Sequence, residues 1–233
     1  MRAFVFFVGI CSFLLCTSGE SLPRYWLVEE DFIKLGKKEL YEEEKKKELE
    51  EQQVFLKKKR KPFEVIGIED LENPQYVFFM PLKELSVLDL YPPIKDTESL
   101  LLNTCLHFRI FSLHELLEEC SFRGGVVFSR SHPYLSYILY DVAPGSQKFF
   151  EDHLMQICLK QSKKAPLSWN TWKVLLGADS PKYLVCAAFS TKEELKDANL
   201  ESFFEELSIK EILRNKKNGW MKRAEPLSFS KKS

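Results

Sequence analysis

The sequence lacks any excess of charge of one sign. Lys plus Arg and Asp plus Glu number 34 each, so the formal net charge is +0 at pH 7. Proteins that bind nucleic acid normally carry a basic surface, so the composition gives no reason to expect a nucleic-acid partner. With 45% hydrophobic and 29% charged residues, the chain has the composition of an ordinary globular protein.

Signatures of common catalytic and metal sites are also absent. No Gly-x-Ser-x-Gly nucleophile elbow occurs, and Arg123-Gly124-Gly125 is too short for a phosphate-binding loop. The histidines and cysteines have no metal-motif spacing, so no metal site is predicted. Free buried thiols are favoured over disulfides at the four cysteines after residue 19, because each has apolar neighbours. These are Cys105, Cys120, Cys158 and Cys186.

Long apolar runs are lacking after residue 16. Arg2 precedes the uncharged run Ala3–Cys16, and Thr17-Ser18-Gly19 supplies the small residues of a cleavage site. A transmembrane helix needs about 20 apolar residues. Residues 1–19 are therefore predicted to be a cleaved signal peptide, with an uncleaved anchor as the alternative. The mature chain is predicted to be exported, to the periplasm or the medium, without a membrane span.

Residues 129–151 mark the point where one structural unit ends and a similar one begins. When Gly145 is placed on Gly36, Tyr134 falls on Tyr25 and Glu151 falls on Glu42. In both copies an apolar, aromatic run ends at glycine and restarts with charged residues at helical spacing. This pattern is typical of a strand, a tight turn and a helix.

Three further matches follow in the same order. The Pro-led segments 73–79 and 180–186 read as strands. Ser-x-x-Glu patterns at 112–115 and 208–211 resemble capping boxes of helices that would end at glycine. The segments 130–137 and 223–229 share an Arg-x-x-Pro pattern. Four matches at offsets of roughly 95 to 110 residues predict an internal duplication.

Each unit is predicted to run strand–helix–strand–strand–helix–strand, the ferredoxin-like order. The predicted division is residues 1–19 for the signal peptide, 20–130 for unit 1 and 131–233 for unit 2. The predicted strands are Tyr25–Ile33, Phe63–Ile68, Gln75–Met80, Val126–Tyr140, Ser168–Leu176, Lys182–Phe189 and Trp220–Phe229. The predicted helices are Lys37–Lys61, Leu82–Leu88, Glu98–Phe111, Leu113–Phe122, Ser146–Lys164, Lys192–Ala198, Phe203–Leu207 and Ile209–Lys217.

Four features carry a resemblance to a known superfamily. They are a strand that ends in Pro144-Gly145 before Phe149-Phe150-Glu151, a strand with Trp172 and Gly177, a Pro181-x-Tyr183 strand, and the Arg-x-x-Pro exit strand. Together they resemble the dimeric α/β-barrel superfamily, which includes antibiotic-biosynthesis monooxygenase-like and NIPSNAP-like domains. The resemblance extends from Tyr25 to Phe229 and implies an α+β fold. Two tandem ferredoxin-like units would pack as one intrachain barrel.

The resemblance also implies a pocket for an aromatic or haem-like ligand between the sheet and the helices. Haem-degrading members use an Asn, a Trp and a His there. This chain has Trp169 and Asn170 but no histidine in the matching place, so no catalytic residue is carried over. No cofactor is predicted, although haem remains open. The candidates for lining a ligand pocket, with core packing as the alternative role, are Trp169, Trp172, His153, Tyr183 and Tyr137.

Three functions are compatible with these observations. The absence of a reactive constellation favours an exported, non-catalytic binding protein whose partner is a small apolar ligand or another protein. The first alternative is a monooxygenase-like or haem-binding enzyme of the dimeric α/β-barrel type, in which substrate or haem supplies the reactivity. The second is an interaction or scaffold protein that uses the charged helix 37–61 and holds it clear of the barrel.

Overall fold

The computed structural model describes residues 23–59, 64–90, 104–122, 130–161, 167–198, 200–204 and 207–229. The predicted signal peptide lies outside the described residues. Eight antiparallel strands form the body of the protein. They are β1 (Tyr25–Ile33), β2 (Ile66–Asp70), β3 (Gln75–Leu82), β4 (Leu106–Leu116), β5 (Tyr134–Val142), β6 (Asn170–Leu176), β7 (Lys182–Phe189) and β8 (Leu213–Arg223).

The strands close into one barrel in the order β1-β3-β2-β8-β5-β7-β6-β4. β1 to β4 form one half and β5 to β8 the other. β2 joins β8 where Ile68 pairs with Arg223, and β4 joins β6 where Leu116 pairs with Trp172. Because side chains alternate along a strand, each strand sends one set into the barrel lumen and the other set outward.

In the described ranges of the chain, three helices cover the outside of the barrel. They are α1 (Lys38–Lys58), α2 (Gln147–Lys160) and α3 (Lys192–Asp197). One apolar core fills the lumen, a second lies beneath α2 and α3, and a third lies beneath α1. The α+β fold and the barrel predicted from the sequence are therefore confirmed.

The entry into each long helix follows the pattern read from the sequence. Gly36 and Gly145 both adopt positive φ, 73° and 87°, in the turns between β1 and α1 and between β5 and α2. Glycine takes this conformation without the steric cost of a Cβ atom. The turn that joins each first strand to its helix was thus predictable from the residue type alone.

The helices predicted over Glu98–Phe111 and Leu113–Phe122 are wrong where the structure describes them. Residues 106–116 form β4, which pairs with β1 along its length and with β6 at its end. The Ser112 side chain contacts His114 instead of capping a helix. Pairing with strands distant in sequence outweighs a local capping pattern, and the helical structure described in these two segments is a π-helical turn at residues 104–105 and a short 3₁₀ turn at Glu118–Cys120.

The second half contains the same kind of error. Residues 209–217, predicted as a helix, form a 3₁₀ turn at Leu207–Ile212 and then enter β8. β8 therefore begins before the predicted strand Trp220–Phe229 and ends at Arg223. Residues 203–207, also predicted as a helix, overlap a 3₁₀ turn at Leu200–Phe203. α3 is confirmed, and its capping box uses Thr191 and Glu194.

α1 packs against the barrel through Tyr41, Lys45, Leu49 and Leu56, all buried. This contact counts against the scaffold function, which requires the helix 37–61 to stand clear of the barrel. Within the described part of the chain, no helix is long and apolar enough to cross a membrane. All four described cysteines are free thiols.

A buried ionic network attaches α1 to β1 and β4. The Lys45 ammonium lies 2.5 Å from Glu29 Oε1 and 3.8 Å from Asp31 Oδ2. The Arg109 guanidinium lies 2.8 Å from Glu29 Oε1 and 2.5 Å from Asp31 Oδ1, and it also contacts Glu48. Three carboxylates thus face two cations. Burial raises the pKa of Glu29 to about 7, against the opposing effect of Lys45.

Replacing Lys45 with Met tests the network. The substitution leaves buried carboxylates without their cation, so we expect the free energy of unfolding at pH 8 to fall by roughly 3 to 5 kcal/mol. The loss should be smaller at pH 5, because the carboxyls there can become neutral by protonation. Urea unfolding followed by tryptophan fluorescence measures both. Lys47→Met, on the exposed face of α1, is the control, and equal losses in the two variants would contradict the network's role.

Candidate functional site

The barrel lumen contains a cavity of about 60 Å³. The side chains that line this cavity come from the inward faces of β1, β3, β4, β5, β7 and β8. Both halves of the barrel therefore contribute to its walls. Most of the lining is aliphatic or aromatic, with polar groups at particular positions. The lining residues are Val28, Glu30, Gln75, Val77, Phe79, His114, Leu135, Tyr137, Leu139, Leu184, Cys186, Lys217 and Met221.

Aromatic side chains close one end of the lumen. Trp26 stands edge-on to Phe79 and to Trp172, with ring centroids 6.5 and 6.3 Å away. Edge-to-face packing of this kind adds to the stabilisation from burial. The Trp26 indole N–H donates to the carbonyl oxygen of Pro23 at 2.7 Å, which fixes the ring at this end.

Polar side chains mark the opposite end, where the cavity opens past the exposed Lys217. The Gln75 amide donates to Glu30 Oε2 at 2.9 Å. Burial raises the pKa of Glu30, and the nearby Lys217 and Lys182 oppose that rise. The mouth of the cavity therefore carries charges of both signs, whereas the interior carries none.

His114 is the polar group of the interior. Its side chain is only 4% exposed, and burial lowers its pKa to about 4, so the imidazole is neutral at physiological pH. Nε2 lies 2.8 Å from the Ser112 hydroxyl oxygen, whereas Nδ1 has no hydrogen-bond partner. Among the cavity-lining residues, all of which the structure describes, Nδ1 is the one buried side-chain nitrogen or oxygen without a partner.

Tyr137 and Cys186 face each other across the β5–β7 pair and also line the cavity. The Tyr137 hydroxyl lies 3.4 Å from Asp70 Oδ2, a long contact. A Cβ atom on Gly219 would lie 2.8 Å from the Tyr137 ring, so glycine makes room for it. Burial raises the pKa of the Cys186 thiol, which makes it a poor nucleophile.

The pocket residues predicted from the sequence lie on two faces of the sheet. Tyr137 and Trp172 are in the lumen core, whereas Trp169 and Tyr183 are in the core beneath α2. His153 is on α2 and half-buried. The sheet therefore separates the five residues, and no single cavity contains them all.

His114 lies within a segment whose sequence predicts a helix, and only its place on β4, opposite Trp26 on β1, directs it into the lumen. The segment Phe108–Leu116 does not alternate cleanly between apolar and polar residues, so local periodicity does not identify the strand.

The described residues do not fit a haem group. Beneath α2, where the resemblance implies a ligand, Phe150 and Tyr183 ring centroids are 4.8 Å apart and Phe204 packs edge-on to Trp169 at 5.3 Å. The layer beneath α1 is filled by the ionic network. A larger cavity of about 490 Å³ near α2 is lined mainly by charged side chains, which suits an apolar macrocycle poorly. Within the described ranges, no group of three or more His, Cys, Asp or Glu side chains could hold a metal ion.

Comparison with known proteins identifies the fold. No family model matches the sequence, and no curated protein matches it. An anthrone oxidase-like protein has a similar structure, with a TM-score of 0.61 and 11% identity over 87% of this chain and 92% of its own. Chlorite dismutase from Candidatus Nitrospira defluvii, in complex with imidazole, gives a TM-score of 0.55 and 11% identity over 87% and 93%. A protein described as a candidate monooxygenase, from Lactobacillus acidophilus, gives 0.52 and 8% over 86% and 94%.

The chain has the dimeric α/β-barrel fold. At these identities the likeness concerns the fold alone. The prediction of a non-catalytic binding protein is nevertheless wrong in the light of these neighbours, which are a candidate monooxygenase, an anthrone oxidase-like protein and a chlorite dismutase. They agree better with the alternative, a monooxygenase-like or haem-binding enzyme.

The neutral imidazole in the lumen predicts a specific loss of stability in acid. The pKa of His114 is about 4 in the folded state and 6.5 in a model peptide, so below pH 6.5 the unfolded chain binds a proton that the folded chain does not. The stability present above pH 6.5 is therefore lost as the pH falls towards 4, by about 3 kcal/mol. His114→Leu should lack this loss. Urea unfolding at several pH values measures the difference, and parallel curves for the two proteins would contradict it.

Proposed function

We propose that this protein is an oxidative enzyme, monooxygenase-like in type, that works without haem at the barrel lumen. It would use dioxygen to oxidise a small, electron-rich organic substrate whose reactive carbon contacts His114 in the cavity. The observation that carries the proposal is the buried, neutral imidazole of His114, which lines a cavity in a fold that oxidative enzymes share.

The substrate itself would supply the electrons, which is why the chain needs no reactive constellation of its own. A carbon acid such as anthrone, suggested by the name of one structural neighbour, has a methylene group whose carbanion reduces dioxygen directly. One proton leaves the methylene, the carbanion and dioxygen give a hydroperoxide, and loss of water leaves a carbonyl. One dioxygen is consumed and one water released for each carbonyl formed.

His114 would accept the proton from the substrate. In the tautomer with its proton on Nε2, the imidazole donates to the Ser112 hydroxyl, and Nδ1 is then a free acceptor. A base inside an apolar lumen also keeps water away from the carbanion. Lys217 and Glu30 at the mouth would orient the polar groups of the substrate.

We also propose that the two halves arose by tandem duplication of a ferredoxin-like unit, as predicted for residues 20–130 and 131–233. A β-bulge occurs next to the last residue of both β1 and β5. A tyrosine on the third strand of each half donates to a glutamate on the first helix of the same half, Tyr76 to Glu42 and Tyr183 to Glu151. Export, predicted from residues 1–19, is part of the proposal.

Dioxygen consumption with anthrone tests the function. We expect the purified protein to accelerate dioxygen uptake, with one dioxygen consumed for each anthraquinone formed, measured with an oxygen electrode and by absorbance. His114→Leu should lower kcat/KM by roughly 100-fold or more, the usual effect of losing a general base. In the wild type, kcat/KM should fall as the pH decreases through about 4, where His114 becomes protonated.

Two controls separate this function from the haem alternative. Haemin titration should give no saturable shift of the Soret band, and added haemin should not change the rate of dioxygen uptake. Lys47→Met, on the exposed face of α1, should have wild-type activity. A rate equal to that of buffer, or equal rates for the wild type and His114→Leu, would overturn the proposal.

A further inference from the structure

A second pocket lies on the outer face of the sheet, beside α3. Its volume is about 350 Å³, which is within the usual range of about 300 to 1,000 Å³ for ligand pockets. β5 and β8 form its floor, and α3 with the 3₁₀ turn Leu200–Phe203 forms one wall. Because the floor faces away from the lumen, this outer pocket is separate from the cavity that contains His114.

The equivalent place in the first half of the barrel is filled. Ser136 on β5 pairs with Trp220 on β8, and the equivalent pair in the first half is Leu27 on β1 with Leu113 on β4. These two leucines belong to one apolar cluster, which Leu88 also joins. A serine and a tryptophan at the same sheet position leave an opening instead. The packing of two similar halves does not require this difference.

The Ser136 hydroxyl is a polar group at the floor of the outer pocket. The residue is only 7% exposed, and no described residue hydrogen-bonds to its hydroxyl. A buried hydroxyl normally has a partner, because the loss of hydration without one is costly. The described part of the protein supplies no such partner, whereas a hydroxylated ligand in the pocket would.

Trp220 gives the outer pocket an aromatic wall. Its side chain is 36% exposed, whereas the other three tryptophans of the chain, Trp26, Trp169 and Trp172, are at most 3% exposed. The face of an aromatic ring is electron-rich and attracts hydrogens that carry a partial positive charge. A saturated ring whose C–H bonds point to one side can therefore stack on this indole.

The rim of the outer pocket carries both signs of charge. Glu72, Lys196 and Asn218 line it and are exposed. Because a carboxylate and an ammonium group are both present, the rim favours neither an anion nor a cation. With the amide of Asn218 they offer hydrogen-bond donors and acceptors in different directions. This combination suits a neutral ligand that has several hydroxyl groups and one apolar ring face.

We infer that the outer pocket is a binding site for a neutral carbohydrate. A pyranose ring has the two required features, C–H bonds on its faces and hydroxyl groups around its edge. One face would stack on Trp220, and the hydroxyl groups would bond to Ser136 and to the rim. Binding is non-covalent, and the site does not depend on the oxidation proposed for the lumen.

The tryptophan indole signals make the site measurable. Isotope-labelled protein is titrated with the methyl glycosides of glucose, galactose, mannose and N-acetylglucosamine, and the indole N–H resonances are followed by NMR. We expect the Trp220 signal to shift saturably with at least one glycoside, with a millimolar Kd. The signals of Trp26, Trp169 and Trp172, which are buried elsewhere, should shift much less.

Variants of Ser136 locate the binding. Ser136→Leu copies the residue found at Leu27 and fills the outer pocket, so it should abolish the shift of the Trp220 signal. Ser136→Ala removes the hydroxyl alone and should raise Kd roughly 3- to 10-fold, the effect of one lost hydrogen bond. Lys196→Ala should also weaken binding, whereas Lys192→Ala, one turn earlier on α3, is the matched control. A cooperative urea transition checks folding, and Ser136→Ala decides if Ser136→Leu does not fold.

The outcomes are distinct from those of the proposed function. Absence of a Trp220 shift with all four glycosides, at concentrations well above the millimolar range, would overturn the site. Equal shifts of all four indole signals, or binding that Ser136→Leu leaves unchanged, would do the same. Sodium benzoate, a flat aromatic anion, is the counter-probe, and tighter binding of benzoate than of every glycoside would refute the carbohydrate assignment. Failure to oxidise anthrone would count against the lumen chemistry alone.

Discussion

Closure of the sheet is the constraint on which the other features depend. The junctions of β2 with β8 and of β4 with β6 turn two four-stranded halves into one barrel, and half of the side chains on every strand must then pack in the lumen. An eight-stranded barrel has an interior just wide enough for side chains to fill. Trp26, Trp172 and Phe79 fill one end, so the remaining cavity of about 60 Å³ is small and closed on one side.

The outer face of the sheet meets the same packing requirement in two chemically different ways. Beneath α2 the residues are apolar, and beneath α1 the corresponding layer contains the network around Lys45 and Arg109. At an offset of 109 residues, Ile138 corresponds to Glu29 and Leu154 to Lys45. Both layers are full, and the layer beneath α1 combines an apolar core with the paired charges. The space for a reactant is therefore on the inner face of the sheet.

The sequence was sufficient for elements whose signals are local. β1, β7, α1 and α2 were predicted because alternation, helical spacing and a turn glycine are contained within short segments. For β4 and the first part of β8 the sequence predicts helices, because their Ser-x-x-Glu patterns mimic capping boxes and the strand partners that outweigh this signal are distant in the sequence. For the same reason, the sequence does not show that His114 lines the cavity. His114 reaches the lumen only through the pairing of β4 with β1, and no local pattern shows which of the predicted aromatic residues share a face.

The position of charge in this barrel explains why a weakly basic imidazole suits the proposed chemistry. The paired charges are outside the sheet or at the mouth, where Glu30 and Lys217 remain near water. An ionised group inside the lumen would require desolvation without a partner, at a cost that exceeds most binding energies. A neutral imidazole avoids that cost and becomes charged only while it holds the substrate's proton. The carbanion formed at that moment is the counter-ion beside it, so the lumen contains an ion pair only while the reaction proceeds.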